Sequence, residues 1–123
     1  MFVRSGIVCA IALAATATGA QAHHSYAMFD RSKTVALNGT VKQFQWTNPH
    51  SWIQVVVAGD SGSEEWSVEM GSPFELTRVG WNPSMLKAGD KVIIQVHPTK
   101  DGTKGGGFVS ATDADGQPIG RSK

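Results

Sequence analysis

The sequence predicts a small all-β domain, a five-stranded barrel with one short helix between strands 3 and 4. Three observations point there. Its apolar residues fall in short runs with a period of two, broken every eight to twelve residues by Gly, Pro, Asn or Asp. Only one place carries a full helix-start signal, Ser72-Pro73-Phe74-Glu75. And 14 Gly and 5 Pro stand among ordinary Val, Ile and Trp usage, which fits turns better than long helices.

Composition bounds the rest. With 123 residues and 41% hydrophobic content there is material for one core and not for two. Eleven basic against ten acidic residues leave a formal charge of +1, too little to steer the chain to nucleic acid or an anionic membrane.

Residues 1–22 read as a secretory signal peptide. Met1-Phe2-Val3-Arg4 carries one positive charge, Ile7 to Ala15 is apolar, and Ala20-Gln21-Ala22 is a small-residue cleavage motif. The apolar run is too short for a membrane span, which needs about 20 residues. Cleavage between Ala22 and His23 takes 22 of the 123 residues and leaves 101, the expected single domain 23–123, periplasmic or secreted. Cys9, the only cysteine, goes with the leader, so disulfides, thiolate catalysis and cysteine zinc sites are excluded from the mature chain.

Along that chain, Val35, Leu37 and Val41 share one phase and Phe44 and Trp46 the other. The slip near Gly39 predicts a bent or bulged first strand. Thr47-Asn48-Pro49-His50 is a turn, and Trp52 to Val57, apolar on both sides, is a central strand. From Glu65 to Met70 the alternation places Trp66, Val68 and Met70 inward and Glu65 and Glu69 on the solvent face. A helix over 73–79 follows, with Phe74, Val79 and Trp81 expected to plug one end of the sheet. Lys91 to His97 and Phe108 to Thr112 complete the strands. The Gly-rich 104–107 segment reads as a flexible hairpin, and the tail beyond Asp115-Gly116 as frayed. Three strands, a helix and two strands is the element order of an OB-fold barrel, whose second and third strands and whose 1–2 and 4–5 loops form the usual binding surface.

The segments His23 to Asp30, Gly39-Thr40-Val41, Trp46-Thr47-Asn48-Pro49-His50-Ser51-Trp52, Ser72 to Trp81 and Leu86 to Val92 resemble a family of exported bacterial proteins classed as a domain of unknown function. The resemblance implies a periplasmic OB-like domain and carries no activity with it. A looser similarity, in compartment and architecture alone, is to small periplasmic OB-fold copper chaperones.

All four histidines survive cleavage. His23 becomes the N-terminus, where its amine and imidazole can chelate one ion, and a cut one residue later gives His24 that role. His50 falls in the loop between strands 1 and 2 and His97 at the mouth of the loop between strands 4 and 5. Nitrogen donors of this kind favour copper first and zinc second. His23, His24, His50 and His97 are therefore the candidate metal ligands, with Met28, Met70 and Met85 assigned to packing. Trp52, beside the His50 turn, is the candidate ligand-binding aromatic, while Trp46 and Trp66 belong to the core. No nucleophile–base spacing stands out, so no catalytic residue is assigned and an enzyme is not expected. Two functions remain: a periplasmic binding protein for copper, or a metal-free module that presents Trp52 to a peptide, glycan or envelope protein.

Overall fold

The computed structural model describes residues 27–120. Five strands appear in chain order: β1 (Val35–Gln45), β2 (Trp52–Gly59), β3 (Gly62–Glu69), β4 (Lys91–Pro98) and β5 (Gly105–Asp113), with the helix α1 (Pro73–Arg78) between β3 and β4. They close into a barrel in the order β1-β2-β3-β5-β4, with β4 returning to β1. Every pairing is antiparallel except β3 with β5, which is parallel. This is the OB-type barrel that the element order predicts.

β1 is long because it serves two partners. Val35 to Thr40 pairs with β4 and Gly39 to Gln45 with β2, so the strand must turn through the junction. A bulge between Val41 and Gln43 shifts the register there, the physical origin of the phase slip in the sequence. Gly39 sits in both ladders. A Cβ at this position would fall onto the Val56 carbonyl oxygen and within 2.9 Å of Val55 Cγ2.

The interior is filled by alternating residues of the strands. Leu37, Val41, Ile53, Val55, Val68, Val92, Ile94 and Val96 are all buried. α1 caps one end as its start signal predicts: the Ser72 hydroxyl accepts from the Glu75 N–H, the Glu75 carboxylate accepts from the Ser72 N–H, and Pro73 opens the helix. Leu76 is its buried residue, with Trp81 buried just beyond. Phe44, Trp46, Trp81 and Phe108 then form a chain of edge-to-face aromatic pairs with centroids 5.5 to 5.9 Å apart.

Four expectations are corrected. Phe74 does not plug the sheet: it is 71% exposed, with the Arg78 guanidinium 5.8 Å from its ring, because a six-residue helix turns only one side inward and Leu76 occupies it. The Gly-rich segment is not a loose hairpin, since Gly105, Gly106 and Gly107 begin β5, all three paired with β3 and Gly106 and Gly107 also with β4. The tail is not frayed through Ile119, whose N–H donates to the Ala111 carbonyl and whose side chain packs on the core. Glu69 is not solvated, as described below. Among the described residues no helix is long and apolar enough to cross a membrane.

Gly39→Ala is expected to destabilise the barrel by about 1–3 kcal/mol, because backbone rather than a flexible side chain must move to admit the methyl group. Urea denaturation of the two proteins measures it.

Candidate functional site

The site begins with one lateral row of residues. Trp52 on β2 is paired with Glu69 on β3, Glu69 with Gly107 on β5, and Gly107 with His97 on β4. Neighbours in register share a face, and Ile53, Val68 and Val96 point into the barrel, so this row lies on its outside. Strand spacing places Glu69 and His97 about 10 Å apart at the backbone, with the side-chain-free Gly107 between them.

That outer face is covered. Phe29 forms an isolated bridge with Thr99, the Asp30 N–H donates to the Pro98 carbonyl, and the Lys100 N–H donates to the Met28 carbonyl. These bonds hold the 28–30 segment against the end of β4. The Phe29 ring takes the space beside Gly107, where a Cβ would meet Phe29 Cδ2 at 3.0 Å. On the other side the His50 loop is tied down through Ser51, whose backbone exchanges hydrogen bonds with Met70 and Gly71.

Between these covers and α1 lies a cavity of about 410 Å³. His50, His97, Glu69, Glu75 and Arg31 line it together with Phe29, Leu76, Val79, Trp81 and Phe108. Two of the histidines named from the sequence therefore face one space. Trp52 does not line it; it is half-buried one strand away, in register with Glu69. His23 and His24 lie outside the described residues. Among the described residues, no three His, Cys, Asp or Glu side chains form a group that could hold a metal ion.

Each histidine is held by its Nδ1. His97 Nδ1 lies 2.8 Å from the Lys33 carbonyl oxygen, and His50 Nδ1 lies 3.1 Å from that of Met70. A carbonyl only accepts, so Nδ1 carries the proton and donates in both rings. In the neutral imidazole this leaves the Nε2 lone pair of each free for a ligand, the second-sphere arrangement that metal-binding histidines commonly show.

Glu69 is the residue that sequence reasoning missed. Alternation gives its direction correctly, yet it is only 9% exposed because Phe29 and the His50 loop cover the outer face at the end of β3. His50 Nδ1 is 3.5 Å from its carboxylate, within ion-pair range, while donating to the Met70 carbonyl at 3.1 Å. Burial pushes the carboxyl above its ordinary range, and the neighbouring His50 partly opposes this. By contrast, Glu65 pairs with Lys42 on the outer face and Glu64 with Lys104 near the start of β3, both at 2.8 Å.

The fold and site define a class: a small OB-type barrel with a part-apolar cavity at the β3–β5 seam, lined by two histidines and a buried carboxylate. The chain belongs to DUF6152, a family of unknown function, whose model matches residues 10–108. Neither a curated protein nor a solved structure matches it.

A carboxyl whose pKa is raised by folding prefers the neutral form in the folded state. Its stability contribution is full below the ordinary value of 4.5 and is lost as pH rises through the folded value. Glu69→Gln is therefore expected to raise the urea midpoint at about pH 7 and to change it little at about pH 4. Urea melts of both proteins at the two pH values test this.

Proposed function

We propose that this protein is a small binding protein, exported to the periplasm or secreted by its signal peptide 1–22, which takes a metal ion at the cavity shared by His50 and His97. Copper is the first choice and zinc the second, on the preference of imidazole and amine nitrogens. The observation that carries the reading is the pair of histidines lining one cavity, each with Nδ1 donated to a backbone carbonyl and Nε2 left for a ligand. Two imidazoles are an incomplete set for either ion. The mature N-terminus supplies the remainder in this reading: six residue steps separate His23 from Phe29, a span of up to about 20 Å. Phe29 itself lines the cavity. His24 takes the role if cleavage falls one residue later. No catalytic step is assigned to the bound ion.

A second reading is favoured by the place of Trp52, half-buried on the outer face of β2 beside Glu69. In it the barrel is a metal-free module, and the β2–β3 face meets a peptide, glycan or envelope protein.

Copper titration with electron paramagnetic resonance separates the two. The protein beginning at His23 is expected to bind one Cu(II) tightly, and one additional N-terminal residue to weaken binding by at least about tenfold. His97→Ala, at a half-buried position, is expected to cost a further factor of about 10 to 100. Equal weak binding by all three forms sinks the metal reading and leaves the Trp52 face.

A further inference from the structure

The cavity is much larger than a metal ion requires. A water molecule accounts for about 30 Å³ of liquid, so an ion with one or two waters fills a small part of 410 Å³. The volume lies instead in the range of small-molecule sites, and most of its wall is apolar and aromatic. What a ligand must also satisfy is Glu69, nine-tenths buried and lining the cavity. The carboxylate therefore reaches the cavity with His50 at 3.5 Å as its one nearby basic group among the described residues, and a cation brought to it adds both a hydrogen bond and an opposite charge. Of the charged residues in the lining, Arg31 and Glu75 are both exposed and screened by water, which leaves Glu69 as the buried one.

We infer that the cavity is a binding site for a small organic cation, a primary amine with an aromatic or aliphatic body, whose ammonium meets the Glu69 carboxylate while its body packs against Phe29, Trp81 and Phe108. Aromatic walls suit such a ligand twice, by apolar contact and by the attraction of a cation to a ring face. The site goes beyond the metal reading and does not depend on it: the ammonium is held by Glu69, whereas the ion is held by Nε2 of His50 and His97.

Phenethylamine is the probe, compared with phenethyl alcohol, which keeps the body and loses the charge, and with phenylacetate, which reverses it. Each is titrated near neutral pH into chelator-treated protein beginning at His23, and binding is followed by the NMR shifts of the Phe29, Gly107 and Phe108 amides. Phenethylamine is expected to bind at least about tenfold more tightly than the alcohol, with phenylacetate weaker still. Glu69→Gln is expected to keep the fold and erase the preference of amine over alcohol. His97→Ala is expected to retain it while weakening copper binding by about 10- to 100-fold. Equal binding of amine and alcohol, tighter binding of phenylacetate, no shift at the cavity amides, or a preference that survives Glu69→Gln overturns the inference. An intact amine preference in a protein that ignores copper supports it and removes the metal reading alone.

Discussion

The insertion of β5 between β3 and β4 is the constraint on which the rest depends. Closing a five-stranded barrel requires β5 to lie between β3 and β4, and three consecutive glycines stand at the tightest point. A Cβ on Gly106 would come within 2.7 Å of Val96 Cβ and 2.8 Å of the His97 carbonyl oxygen. Val96 is wholly buried and the carbonyl belongs to the ladder, so neither yields cheaply. A side chain there would open the seam, and with it the core beneath.

The same glycines make the site. Gly107 leaves a gap in the outer row between Glu69 and His97, and the Phe29 segment, bonded to the end of β4, covers that gap. An outer sheet face that would otherwise be wet is thereby partly withdrawn from water. The consequences are electrostatic: a carboxylate facing the outside becomes buried, and a histidine from the β1–β2 loop and another from the end of β4 open onto a common space with their Nδ1 atoms already engaged. Polar groups are thus concentrated in an apolar setting, where hydrogen bonds and charge pairs act more strongly than on an open surface.

The different parts of the molecule were not equally legible. α1 was plain in Ser72, Pro73 and Glu75 because a capping box is a local device, complete within four residues. The bend of β1 showed as a phase slip because a bulge changes the local alternation. Phe74 misled because hydrophobicity alone does not say which side of a short helix faces the core. The glycines at 105–107 misled because glycine marks flexibility and close packing alike, and only the presence of Val96 and Phe29 beside them tells which applies.

The sequence by itself determined the order of the elements, the helix start, and the inward and outward direction of side chains along β3 and β4. These are properties of neighbours along the chain: period, caps and turns. Only the tertiary structure decided that Glu69 is buried, that Trp52 stands beside the cavity rather than in it, and that His50 and His97 line the same space. Each of those facts depends on what the barrel brings across from a distant segment. Alternation tells a residue which way to point, but what covers it is decided by closure.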